Sequence, residues 1–116
     1  MNITPLQFYK CLADETRLQS ILLIQQEGEL CVCELTTALD ESQPKISRHL
    51  AQLRECELLK DRREGQWVFY QINPELPPWA KDVLVQTCAQ NKDYLKSADQ
   101  RLKQMGNRPQ RKEQCC

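Results

Sequence analysis

Apolar side chains recur at intervals of three and four residues through the first half of the chain, the spacing that gathers them on one side of a helix. Leu6, Tyr9 and Leu12 predict a short first helix that ends near Asp14. Asp14 is a capping type, able to accept from the free amides of a new first turn. It precedes Leu18, Ile21, Leu22 and Gln25, one face of a second helix that Gly28 stops. Glu29 to Cys31 reads as a short extended link, and a third helix runs from about Cys33 to Leu39, buried through Leu35, Ala38 and Leu39. After a tight turn at Asp40 and Glu41, Ser42 caps a fourth helix reaching about Cys56, with Pro44 in the first turn where no backbone donor is missed. Ile46, Leu50 and Leu53 fall at i, i+4 and i+7 of that helix, opposite Lys45, Arg48, Gln52 and Glu55. One face packs, and the other is free to touch a partner.

The period then shortens. Leu58 to Arg62 and Trp67 to Gln71 predict two strands joined by a tight hairpin in which Gly65 supplies the positive φ. Trp67, Phe69 and Tyr70 are read as hairpin packing. Asn73-Pro74 ends the hairpin and Pro77-Pro78 opens a long terminal helix. There Leu84, Cys88, Asn91, Leu95, Ala98, Leu102 and Met105 alternate at spacings of four and three, a stripe expected where one helix packs along another. The expectation is a homodimer sharing this helix and the first, with Asn91 fixing register. The fold class read from the order of elements is mainly α with a small β-hairpin (α+β), a dimeric winged helix-turn-helix. Residues 1–105 form the domain with its N- and C-terminal dimerisation helices, and 106–116 a flexible tail ending in Cys115-Cys116.

At 116 residues the chain holds one domain with a single modest core. Its 16 basic and 16 acidic groups balance, so net charge points to no partner, but their distribution does. Residues 1–41 carry two basic and seven acidic groups, whereas 42–66 carry six basic against four acidic and 101–116 five against one. Two basic zones on a neutral protein fit local phosphate contacts better than general polyanion binding. No stretch approaches the roughly 18 apolar residues of a membrane span and the start lacks a signal-peptide pattern, so a cytoplasmic protein with no membrane partner is expected. Seven cysteines in such a chain read as reduced thiols for metal or redox use rather than a disulfide framework.

The fourth helix would enter a DNA major groove by its N-terminal half, where Gln43, Lys45, Ser47 and Arg48 reach bases or phosphates and His49 adds a phosphate contact. Arg62 and Arg63 on the hairpin would hold phosphate or the minor groove. A solvated helix beside an ordinary charged hairpin is the bland alternative to each half, and it is the order of the two that favours DNA. Ahead of this unit stands Cys31-Val-Cys33. A C-x-C is weak evidence by itself and fits two small buried apolar residues, but its place at a helix start adds weight. Residues two apart on a regular helix point about 200° from each other and cannot share an ion, whereas in extended chain they share a face. Binding would therefore distort the start of the helix, and thiolates select soft ions. The sole histidine, His49, and the sparse carboxylates of the terminal helix make a zinc site there improbable. No anion-cradling loop or C-x-x-C supports a thiol enzyme, so no catalytic residue is assigned.

With these residues in place the chain resembles the ArsR family of winged-helix repressors, specifically its arsenic-responsive branch. The resemblance rests on Leu12-Ala-Asp-Glu-Thr-Arg-Leu18, Glu29-Leu-Cys-Val-Cys-Glu-Leu35, Ser42-Gln-Pro-Lys-Ile-Ser-Arg-His-Leu50 and Asp61-Arg-Arg-Glu-Gly-Gln-Trp-Val-Phe-Tyr70. It implies a homodimer on an inverted repeat of double-stranded operator DNA in an arsenic-resistance operon. It also implies release by trivalent arsenic or antimony, As(III) or Sb(III), through Cys31 and Cys33. The family's third cysteine position holds Thr36, which leaves Cys11, Cys56, Cys115 and Cys116 as further candidate ligands. The competing expectation is a redox or cadmium- or lead-sensing repressor of the same fold.

Overall fold

The computed structural model describes residues 3–106, and side-chain caps explain where three of its helices begin. Helix α1 (Pro5–Leu12) starts on a reciprocal cap: Thr4 Oγ1 accepts from the Gln7 amide at 3.1 Å, and Gln7 Oε1 accepts from the Thr4 amide at 3.0 Å. Asp14 accepts from the Arg17 amide at 3.0 Å to open α2 (Glu15–Glu27), which ends on Gly28 at φ +89°. Next come β1 (Glu29–Cys31), α3 (Val32–Leu39) and α4 (Gln43–Glu55). Ser42 Oγ caps α4 by accepting from the Lys45 amide at 3.4 Å.

Helix α2 forms the centre of the domain. Ile21, Leu22, Leu23 and Ile24 are all fully buried, so it packs on every side instead of on the single face read from the sequence. Around it gather Phe8 of α1, Leu35 of α3, Ile46, Leu50 and Leu53 of α4, and Leu84 of the terminal region.

Strands β2 (Leu59–Glu64) and β3 (Trp67–Ile72) make the expected hairpin, but the sheet has three strands in the order β1-β3-β2, all antiparallel. The link at residues 29–31 is the third, with Leu30 opposite Tyr70 and Cys31 opposite Phe69. Three residues are too few to show a two-residue period, so only the pairing reveals the strand.

The terminal helix departs from the sequence expectation. It divides into α5 (Pro78–Gln90), a 3₁₀ turn at Lys92–Leu95 and α6 (Lys96–Gln104), broken at Asn91, whose φ of −133° is not helical. The stripe of Leu84, Cys88, Leu95, Ala98, Leu102 and Met105 is buried within one chain, because α5 packs on α2 and α6 on α3. The stripe thus belongs to the domain's own core and gives no dimer seam, and Asn91 stands exposed. The apolar surface left open is a different set: Leu6 and Tyr9 on α1, Trp79 and Val85 on α5, and Tyr94, with Leu6 64% and Tyr9 52% exposed. Residues 107–116, with Cys115 and Cys116, lie outside the described residues.

Candidate nucleic-acid interface and thiol site

Gln43 and Arg48 stand exposed on α4, with Lys45 and Ser47 half-buried beside them. Lys45 is tied to Glu41 one turn earlier at 3.1 Å. This is the outward face that the sequence assigned to DNA. His49 does not share it. It is 7% exposed, with Nδ1 3.1 Å from Gln52 Oε1, 3.4 Å from Arg17 Nη1 and 3.7 Å from the Asp14 carboxylate. A phosphate contact from His49 is therefore replaced by a packing role that joins α4 to the start of α2. The signal was present in the sequence: position 49 completes the i, i+3, i+4, i+7 pattern of Ile46, Leu50 and Leu53.

On the wing, Arg63 is exposed, and so is Arg62, but the Arg62 guanidinium is already engaged. It donates twice to the Glu29 carboxylate, Nε at 3.1 Å and Nη2 at 2.8 Å, and once to Glu64 at 3.2 Å, and it lies 4.6 Å from the centre of the Phe69 ring. The Glu29 hydrogen bond, followed by that of Glu64, raises its pKa above the usual arginine value. Arg62 thus connects the wing to β1, two residues before Cys31, and a phosphate would have to compete with Glu29 and Glu64 for its guanidinium.

Cys31 ends β1 with extended backbone, φ −90° and ψ 166°, and occupies the capping position of α3, while Cys33 is the second residue of that helix. The two sulfurs therefore do not both sit on regular helix, and the 200° separation does not apply to them. Both residues line one cleft of about 170 Å³ with Val32, Gln43, Gln66, Trp67 and Val68. Gln43 is the first residue of α4, and Gln66 to Val68 are the turn and first strand residues of the wing, so the thiol cleft shares walls with both elements of the DNA-facing unit. Cys31 is 2% exposed, and burial pushes its thiol up to about 11, with the carboxylate of Glu34 adding to the rise. Glu34, itself fully buried, accepts from the Cys31 amide at 2.9 Å and fixes the turn from strand to helix. Cys33 is disulfide-bonded, against the expectation of reduced thiols, and in that state it offers no thiolate.

Thr36, at the third position of the family pattern, donates its hydroxyl to the Val32 carbonyl at 2.9 Å. Among the described residues no three His, Cys, Asp or Glu side chains come together as a metal cluster. Cys11 and Cys56 are bonded to each other and line a separate cleft. Cys88 is buried with its sulfur 3.6 Å from the Leu22 carbonyl oxygen, and burial pushes its thiol up. No helix among the described residues is long and apolar enough to cross a membrane.

Comparison with known proteins agrees with this geometry. Residues 14–61 match the family described as bacterial regulatory protein, arsR family. The chain is 55% identical over 114 residues to the arsenic resistance transcriptional regulator ArsR2 of Pseudomonas putida, covering 98% of this chain and 99% of the relative. It is 55% identical over 92 residues to the arsenical resistance operon repressor of Escherichia coli, covering 78% and 79%. Among solved structures, HlyU from Vibrio cholerae superposes with a TM-score of 0.67 at 32% identity, covering 75% of this chain and 90% of that one.

Proposed function

Because the chain belongs to the arsR family of bacterial regulatory proteins, we propose that it represses an arsenic-resistance operon and is released from operator DNA when trivalent arsenic or antimony exchanges onto Cys31 and Cys33. It is a transcriptional regulator and not an enzyme. The observation that carries the inducer assignment is the shared cleft, in which Cys31 and Cys33 face Gln43 of the reading helix and Gln66 to Val68 of the wing. An ion that draws the two sulfurs together moves the walls that those elements form.

The donor set fits a trivalent metalloid. Each thiol that replaces a hydroxide on arsenous acid expels one water and leaves no net proton behind, so the protonated Cys31 thiol is no obstacle. Two sulfurs fill two of the three positions, and a hydroxide or a small thiol completes the third. For about 100-fold release, the inducer has to bind the DNA-free form about 100-fold more tightly than the operator complex, about 2.7 kcal/mol of coupling. The repressor acts as a homodimer on an inverted repeat, paired through the open apolar face of Leu6, Tyr9 and Val85. Antimonite shares the chemistry and is expected to act like arsenite.

Operator binding followed by fluorescence anisotropy tests the assignment. In reduced protein, replacing Cys31 and Cys33 together with Ser should keep operator affinity within a few-fold and abolish release by arsenite. Release that persists in the double variant would remove the site.

A further inference from the structure

We propose that Cys11 and Cys56 form a second thiol site, which a hydroperoxide oxidises to a disulfide that braces α1 against the end of the reading helix. These cysteines are 45 residues apart and come from different elements, Cys11 from the last turn of α1 and Cys56 from the C-cap of α4. Beside the bond, other contacts hold the two helix ends together. Arg17 of α2 donates Nε to the Cys11 carbonyl at 2.7 Å and Nη1 to Gln52 Oε1 of α4 at 3.0 Å, so one guanidinium holds both helix ends. Cys11 Sγ lies 3.8 Å from the Gln52 carbonyl oxygen.

The surroundings suit a reactive pair. The two cysteines line a cleft of about 400 Å³ shared with Lys10, Arg17 and Glu55, room enough for a small hydroperoxide to reach them. Cys88, by contrast, is a lone buried thiol. A regulator of DNA works where thiols are kept reduced, and disulfides found there are typically transient and redox-sensing. That last step rests on the DNA-binding reading above, whereas the chemistry of the pair does not. One thiol attacks the peroxide oxygen to give a sulfenic acid, and the second attacks the sulfenic sulfur to close the S–S bond. Two thiols lose two electrons in total and hydrogen peroxide is reduced to two waters. The bond closes a loop of 45 residues and leaves Gln43 and Arg48 on the outward face. The oxidised repressor therefore stays competent for its operator.

Proteolytic mapping of the full chain tests this directly. Reduced protein is treated with one equivalent of hydrogen peroxide, alkylated and digested with trypsin, which releases Cys11 in fragment 11–17 and Cys56 in fragment 55–60. The two fragments should appear joined, separate after excess dithiothreitol, and remain apart in C56S and C11S. Peroxide should raise the Tm of the wild type by about 5 °C or more relative to C56S treated alike. Operator affinity of the oxidised wild type should stay within about threefold of that of oxidised C56S, a difference of about 0.7 kcal/mol. Fragments alkylated separately after peroxide would remove the site. An equal Tm rise in C56S, or a loss of operator affinity of tenfold or more confined to the wild type, would remove the brace, whatever arsenite does to either protein.

Discussion

Two pairs of cysteines sit at two kinds of junction. Cys31 and Cys33 are neighbours in sequence, placed where β1 turns into α3, and their cleft is walled by the reading helix and the wing. Cys11 and Cys56 are distant in sequence, joined where α1 meets the far end of the reading helix. One pair lies at the end of α4 from which DNA is read, the other at the end anchored to the rest of the domain. In the reading proposed above, a ligand at the first strains the surface that touches DNA, whereas a bond at the second stiffens its support. On that proposal, location relative to one helix separates a release site from a brace, although both use the same functional group.

The largest expected effect breaks that division if it is wrong. Replacing Cys31 alone with Ser should raise the arsenite needed for half-release by about 100-fold, while C11S/C56S in reducing buffer should change it less than about threefold. Equal effects from both pairs would merge the two sites. Arg48→Ala, on the outward face beside the first pair, should cost about 1–3 kcal/mol of specific operator affinity if the guanidinium reads a base. The same loss on random DNA would make it a phosphate contact. A third contrast lies within the first site and uses pH. The Cys31 thiol is held up to about 11, so below that value a divalent cation has to displace its proton. Cadmium binding should tighten about tenfold per pH unit for each proton released, while arsenite binding changes little between about pH 6 and 8. Isothermal titration in two buffers of different ionisation enthalpy counts those protons. The smallest effect on operator affinity concerns the anchored end: His49→Ala should lower stability by about 1–3 kcal/mol, measured by urea unfolding, because it strands its partners around Asp14 and Gln52. Operator affinity should fall by less than it does for Arg48→Ala.

Local features were legible before the fold was known. Asp14, Ser42, Gly28 and Gly65 mark helix ends and the hairpin because their backbone or side-chain chemistry acts within a few residues. Lys45 and Arg48 follow from helical period, opposite Ile46, Leu50 and Leu53, whereas Gln43 and Ser47 follow from their place in the N-terminal half of the helix. What failed depended on contacts between distant segments. The stripe from Leu84 to Met105 has the spacing of a helix seam, yet the same spacing serves a helix folded onto its own domain, and only α2 and α3 decide between them. Strand β1 exists because β3 has a second edge to pair. His49 is a polar side chain, which sequence alone reads as outward, but its position lies on the apolar face of α4 and it is buried there. Around Cys31 and Cys33, the sequence does not reveal Gln43, Gln66 and Trp67 as walls of the same cleft, since these converge only when the wing folds back over β1. The pairing of Cys11 with Cys56 had no local signature at all.

The central claim is that filling the Cys31–Cys33 cleft releases DNA. Fluorescence anisotropy of the reduced full chain on its operator, titrated with arsenite while arsenic bound per chain is counted in parallel, tests it most directly. The account predicts that anisotropy falls to the free-DNA value in step with the first arsenic bound per chain, and that zinc leaves the complex intact. An operator complex that persists with arsenic bound at Cys31 and Cys33 would contradict it.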